Sequence, residues 1–323
     1  MYLKRRQLCS ALGLGLLLSK TAFAQRDYPE KPIKFIVPTS PGSGPDVLAR
    51  GMAQLMSASL GQAFVVDNRV GAAANIGFNA VAKAPADGYT IGIVPNQFSI
   101  NPSLYKLPFD TMKDFEPICL VAQGAMVLVT KPSLDVTDLA SFIAMAKKKP
   151  TSISYGSAGS GSPQHMAGAL LESMADVKLL HVPYSGVAGA VVATLAGEVD
   201  AMFMAAQTAA VHVKSGKLRA IAVTTKRPSA VLPNVPTADA AGLPGFDVGL
   251  WFGLVMPAGV PASIASRIGA EAAKALKDPH FVSTLTAQGL EPAYLPRQEF
   301  VALIKADMER WSSVVKRLNI KVE

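Results

Sequence analysis

Ile33-Lys-Phe-Ile-Val-Pro-Thr-Ser-Pro-Gly-Ser-Gly-Pro-Asp-Val-Leu-Ala-Arg50 reads as a strand, a bare turn and a helix in succession. Ile33–Val37 is the strand, and Pro38–Gly44 is a turn rich in glycine and hydroxyls. Pro45 suits a first helical turn, where its missing N–H costs nothing. Asp46 sets a negative charge in the positive first turn. The helix then offers unpaired N–H groups behind a loop with few side chains, which is a cradle for an anion. Tyr155-Gly-Ser-Ala-Gly-Ser-Gly-Ser-Pro-Gln164 repeats the arrangement, again after a strand and with Pro163 near a helix start. Facing each other across a cleft, two such loops would grip both ends of a small molecule.

Outward from these loops, strand-like and helix-like segments alternate. Strands are predicted at 64–67, 89–94, 117–122, 126–130, 153–155, 179–182, 201–204, 218–223 and 248–256. Helices are predicted at 46–60, 73–83, 136–148, 163–174, 188–196 and 206–215. The strands are mostly continuous apolar runs, as in sheets covered on both faces. This rhythm predicts a doubly wound α/β fold. After residue 256 only helices are predicted, at 262–277, 279–288 and 297–318. In the last of these Phe300, Ile304, Met308, Trp311 and Val315 recur at helical spacing and read as core. Pro/Gly-rich stretches at 115–124 and 232–249 suggest two crossings between domains. The expected layout is domain 1 from 25–120 and 250–323, with domain 2 (121–249) inserted. No repeat of fixed period appears.

Met1–Ala24 carries Lys4, Arg5 and Arg6, an apolar run over Leu8–Leu18 and Ala22-Phe-Ala24. This is the pattern of a secretory signal cleaved after Ala24. The Arg5-Arg6 pair leaves the twin-arginine and general routes both open. Cleavage leaves 299 of 323 residues and lowers the formal net charge from +8 to +4. Only Cys119 then remains, so no intrachain disulfide is expected and stability rests on the core. No clustered stripe of Lys and Arg suggests a nucleic-acid partner.

Catalytic and cofactor motifs are weak. Gly42-Ser-Gly44-Pro-Asp-Val47 starts like a dinucleotide fingerprint but has Val47 where a third glycine is needed. No G-x-S-x-G elbow occurs in the mature chain. His165, His181, His212 and His280 show no spacing to a serine, an acid or one another that implies catalysis or metal binding. They read as structural. No cofactor, no metal and no catalytic residue are expected.

Several ordered segments carry a resemblance. They are Val37-Pro-Thr-Ser-Pro-Gly42, Asn68-Arg-Val-Gly-Ala-Ala-Ala-Asn-Ile-Gly77, Ala86-Asp-Gly-Tyr-Thr90, Asn101-Pro-Ser-Leu-Tyr105, the loop from Tyr155, His181-Val-Pro-Tyr184, Gly216-Lys-Leu-Arg-Ala220, Leu232-Pro-Asn-Val-Pro-Thr237 and Trp251-Phe-Gly-Leu254. In this order they resemble the Bug family of periplasmic solute-binding receptors, which serves tripartite tricarboxylate transporters. The resemblance covers essentially the whole mature chain. It implies a type II, flytrap-like periplasmic-binding-protein fold with two crossing strands and a small carboxylate as ligand: a di- or tricarboxylate, an acidic amino acid or an aromatic acid. The expected protein is a periplasmic monomer that delivers its ligand to membrane permease subunits. A sensory receptor acting on a kinase would use the same cleft, and a periplasmic hydrolase is a more distant alternative.

The ligand-binding residues expected are Thr39, Ser40, Pro41, Gly42, Ser43 and Gly44 in the first loop and Ser157, Ala158, Gly159, Ser160, Gly161 and Ser162 in the second. Asp46 is expected to shape the first loop. Asn96 and Gln97 follow a strand end, as do Tyr184, Ser185 and Gly186, and open α/β sheets bind ligands at such ends. Met204 completes the set. The chain departs from the family pattern at Ser43, Ala73 and Ala74, where glycines are frequent, and in the apolar Met204-Ala-Ala-Gln207.

Overall fold

The computed structural model describes residues 28–322; the expected export signal lies outside them. The strands are β1 (Ile33–Val37), β2 (Phe64–Asn68), β3 (Thr90–Pro95), β4 (Phe115–Thr130), β5 (Ser154–Ser157), β6 (Leu180–Pro183), β7 (Ala201–Ala205), β8 (Arg219–Val223), β9 (Gly249–Pro257) and β10 (Glu291–Pro296). The helices are α1 (Gly44–Leu60), α2 (Asn75–Ala82), α3 (Gln97–Ile100), α4 (Leu139–Lys148), α5 (Pro163–Ala175), α6 (Val187–Ala196), α7 (Ala206–Lys214), α8 (Ala262–Ala275), α9 (Pro279–Ala287) and α10 (Arg297–Leu318). No helix among the described residues is long and apolar enough to cross a membrane.

Local chemistry accounts for the elements around the first loop. In α1, Pro45 opens the helix and Leu48, Met52 and Met56 recur every four residues on its buried face. Gly61, with φ 67°, ends it by donating its N–H to Ser57 O. That left-handed turn is one a side chain would disfavour.

The sheet order is β2-β1-β3-β9-β4-β7-β5-β6, with β10 and β8 also pairing with β4. Two α/β lobes share β4. Its first part pairs with β9 as far as Ala125↔Gly249, and from Met126 onward it pairs with β7. The sequence suggested two separate extended segments here; they form one strand of 16 residues.

Strand direction places the loops. β1, β2 and β3 are mutually parallel, and β3 and β4 both run antiparallel to β9. So β1–β3 run with β4. β7 runs against β4, and β5 and β6 run with β7. The carboxyl ends of both parallel sets therefore point to the boundary where β4 changes partners. Pro95 pairs with Phe252, itself paired with Ala122, and Ala205 pairs with Met126.

In the first lobe α1, α8 and α9 pack Leu48, Met52, Ile268 and Leu285 on one face of the sheet. Phe78, Phe98, Phe300 and Ile304 pack on the other. In the second lobe Tyr155, Met166 and Phe203 sit in one layer, and Met202 and Met204 in another. The C-terminal helix departs from the expected layout. Its first half lies in the first lobe's core, whereas Trp311, Val314 and Val315 lie in the second lobe's core. Thus α10 straddles both lobes. Gly253 lets the first turn of α10 pack closely on β9, since a Cβ there would stand 2.0 Å from Phe300 Cζ.

Candidate functional site

The two glycine-rich loops share their backbone where they enter the helix, although Gly159 holds a positive φ of 111° and Ser40, its counterpart, does not. Gly42 has φ 80° and Gly161 φ 78°. The residues at the two N-cap positions follow, Ser43 at φ −72°, ψ 164° and Ser162 at φ −68°, ψ 156°, although only Ser162 caps its helix through the side chain. Ser43 N–H donates to Ser40 O at 3.2 Å, and Ser162 N–H to Gly159 O at 3.1 Å. In each loop the glycine N–H is tied to the side chain four residues on. Gly42 donates to Asp46 Oδ2 at 2.8 Å and Gly161 to His165 Nδ1 at 3.0 Å. The likeness extends to Gly71 (φ 130°, ψ 165°) and Gly186 (φ 127°, ψ 170°), which follow β2 and β6. The lobes are thus two versions of one unit, a repeat that no fixed period in the sequence revealed.

Asp46 is the hub of the first loop. It is buried and also accepts from Asn68 Nδ2 at 2.8 Å and Arg50 Nε at 2.9 Å. Burial alone would raise its pKa, but the bonds from Arg50, Gly42 and Asn68 outweigh this and hold it below the ordinary value. Thr39 and Ser43 hydroxyls lie 2.7 Å apart across the loop. Among residues 39–47 and 157–166 Asp46 is the only carboxylate or permanent charge, and Arg50 pairs with it. What the loops offer is therefore neutral: hydroxyls, and first-turn N–H groups such as those of Gly44 and Gln164, which have no carbonyl four residues earlier within their helices.

In the second loop Ser157 Oγ and His181 Nε2 lie 2.6 Å apart, and Gly159 N–H donates to Ser157 Oγ at 3.1 Å. The His165 and His181 rings stack at 4.0 Å with an interplanar angle of 13°. Burial pushes the His165 pKa down to about 3, helped by the neighbouring His181, and burial pushes His181 down to about 4. In the sequence these histidines show no telling spacing to a serine. The available signal was His165 standing four residues after Gly161, as Asp46 stands after Gly42. Ser157–His181 has the spacing of a nucleophile and its base, yet Ser157 is fully buried and no carboxylate bonds to His181 among the described residues. An imidazole held neutral to about pH 4 is also a weak base.

The remaining expected residues divide. Ser40, Pro41, Gly42 and Ser185 are exposed, and Ser43, Gly44, Ala158, Gly159, Ser160, Tyr184 and Gly186 are half-buried. Ser162 is buried and caps α5 through His165 N–H. Asn96 is buried and its side chain is engaged: its amide donates to Gly249 O and its carbonyl accepts Trp251 N–H, each at 3.0 Å. It locks β3 to β9. Met204 turns away from the strand ends into the second lobe's apolar core, because alternate β7 side chains face opposite layers. Gln97 opens α3 with its Oε1 buried and without a hydrogen-bond partner.

The lobes touch near both loops. Tyr105 of the first lobe reaches Ser160 O at 3.4 Å. A Cβ on Gly289 would stand 2.5 Å from Gln207 Cβ. A cavity of about 560 Å³ lies apart from both loops, between the crossing strands and α10, with Trp251 and Arg310 in its wall. There Asp307 accepts Trp251 Nε1–H at 2.7 Å and pairs with Arg310, which also donates to Asp247 O.

Residues 48–320 match the model of the tripartite tricarboxylate transporter family receptor. The chain belongs to this family. The receptor is 33% identical over 302 residues to protein BugT of Bordetella pertussis, covering 92% of each chain. Two solved structures, both from Rhodopseudomonas palustris, are similar throughout. Rpa4515 with adipate is 32% identical with a TM-score of 0.81, covering 91% of this chain and 99% of that one. MatC with bound malate is 29% identical with a TM-score of 0.77, covering 89% and 100%. The receptor shares their two-domain periplasmic-binding-protein fold.

Proposed function

We propose that this receptor captures a small carboxylate between the loops at Thr39–Gly44 and Ser157–Ser162, in the periplasm, and passes it to membrane permease subunits. The observation that carries the proposal is the matched pair of loops, one per lobe, with both strand sets ending at the boundary between lobes. Adipate and malate in two similar structures support a carboxylate as the ligand class. Each lobe contributes one polar cradle, and β4 with the return strand β9 forms the hinge. We place the lobe boundary at Ala125/Met126 and Val248/Gly249.

Magnitudes favour a hydrogen-bonded clamp. Micromolar affinity needs about −8 kcal/mol. Helix termini supply roughly 0.3–1 kcal/mol each. Charge-assisted hydrogen bonds at about 1.5–3 kcal/mol each must supply most of the rest. A carboxylate touching both loops stabilises the closed form over the open one, which is the differential contact that closure requires.

A thermal-shift screen of the mature chain tests this, using adipate, malate, citrate, acidic amino acids and aromatic acids beside neutral analogues. A ligand at a hundred times its dissociation constant should add about 2.7 kcal/mol. A shift by a neutral analogue with none by any acid overturns the proposal.

A further inference from the structure

Below the second loop stands a column of three rings from three elements. Tyr155 of β5 lies 5.1 Å from His181 of β6, which stacks at 4.0 Å on His165 of α5. Above it, Gly159 (φ 111°) and Gly161 (φ 78°) give the loop backbone wide freedom. Ser162 N–H and Ser157 Oγ, both bonded to Gly159 O at 3.1 Å, restrict it locally, and two bonds tie it to the rings below. Gly161 N–H is held by His165 Nδ1 at 3.0 Å, and Ser157, which accepts Gly159 N–H, is held by His181 Nε2 at 2.6 Å. We propose that His165 and His181 are positioning residues of the ligand site: as a stacked neutral pair they pin both ends of the second loop in its ligand-ready shape without adding charge beneath it. This rests on reading that loop as half of the ligand site.

The stack makes the two pins one device, since neither ring can tilt without displacing the other. Neutrality is required at His165. Its Nδ1 lone pair accepts the hydrogen bond from Gly161 N–H, and protonation would set two donors against each other. The groups around the pair favour the neutral state. Tyr155 faces it from β5 with its hydroxyl donating to His165 O at 3.4 Å. Glu172, farther along α5, accepts Leu179 N–H, and no carboxylate bonds either imidazole among the described residues. The first loop shows the alternative, because Asp46 performs the same tie there with a full charge and Arg50 offsets it. The second loop has no such cation. A carboxylate at position 165 would repel an anionic ligand, whereas an imidazole supplies the acceptor alone.

The test uses the mature chain with His165→Asn, His165→Leu, His165→Asp, His181→Gln and His181→Leu. Asn Oδ1 stands where Nδ1 stands, and Gln reaches as far as Nε2. Hydrogen–deuterium exchange over residues 157–162 without ligand reads the pins, and calorimetric titration with adipate reads the site. His165→Asn and His181→Gln should leave loop exchange and affinity within about threefold of the unaltered chain, as expected when one hydrogen bond replaces another. Each Leu variant should speed loop exchange and weaken adipate binding about tenfold or more. His165→Asp should keep the loop protected yet bind adipate about tenfold more weakly. Unchanged loop exchange in both Leu variants overturns the proposal. So does equal adipate affinity of His165→Asn and His165→Asp, a comparison that stands if the Leu variants do not fold. If the unaltered chain binds no acid, the receptor reading fails by itself, and the exchange arm still decides whether the pair pins the loop.

Discussion

Replacing Asp46 by Ala should unlatch the first loop, and the size of the effect follows from its three bonds. The carboxylate accepts Gly42 N–H at 2.8 Å, Asn68 Nδ2 at 2.8 Å and Arg50 Nε at 2.9 Å. Bonds to a charged group contribute roughly 1.5–3 kcal/mol each. Water reaches Gly42 once the carboxylate is gone, and Asn68 keeps its bond to Thr39 O, so both losses fall toward the lower end. The half-exposed Arg50 guanidinium adds least, because solvent screens it. The expected loss is about 2–4 kcal/mol, read as a fall in the urea midpoint at constant slope. Its pH dependence is specific. The folded-state pKa of Asp46 is depressed, so its contribution is present above the unfolded carboxylate value, near 3.9, and is lost as pH falls through the folded value. The difference between the original and Asp46→Ala chains should thus stay level from about pH 8 to pH 5 and shrink below about pH 4. A loss under about 0.5 kcal/mol, or a difference that persists undiminished in acid, would refute the hub described here.

Further perturbations probe the rest of the molecule. The two stacked histidines have depressed folded pKa values of about 3 and about 4, so the unfolded chain takes up their protons first and stability declines as pH falls below about 6.5. By pH 5 His165 should account for about 2 kcal/mol of that decline, and the less buried His181 for less; urea midpoints that do not slope between pH 7.5 and 5 would show one ring already charged in the fold. Gly253→Ala forces Phe300 to move and should cost about 1–3 kcal/mol by overpacking, with an altered near-ultraviolet dichroism because Trp251 lies 5.7 Å from Phe300. Ala73→Gly and Ala74→Gly relieve left-handed backbone at φ 52° and 76° and should each add roughly 0.5–1 kcal/mol, measured by denaturant titration.

What was legible in the sequence was whatever local chemistry decides. Ile33–Arg50 gives strand, loop and helix because Pro45, Asp46 and the spacing of Leu48, Met52 and Met56 all act within a few residues. β10 was hidden for the opposite reason. Pro292 and Pro296 mark it as no strand, yet an edge position tolerates them, and its pairing with β4 slips between Pro292 and Leu295. The helix foreseen from Ala73 begins only at Asn75, because Ala72, Ala73 and Ala74 all hold positive φ and Asn101 Nδ2 clamps Ala73 O at 2.8 Å. That partner lies 28 residues along the chain, beyond the reach of any local pattern.

The candidate site shows the same division within a single loop pair. Glycines and serines announced both cradles, since few other residues suit such a backbone. The ties beneath them did not show equally. Asp46 stands out as a charge in a first turn, so its role could be read directly. His165 is neutral, and its partner His181 arrives from the neighbouring strand only because β5 and β6 run parallel with Tyr155 opposite His181. The two loops share little more than Gly-Ser and an acceptor four residues on, Asp in one and His in the other. A repeat defined by hydrogen-bond role, with residue type free to change, leaves no period in sequence. It becomes visible only as paired backbone angles, which is why the lobes' common plan emerged from φ and ψ and not from the letters.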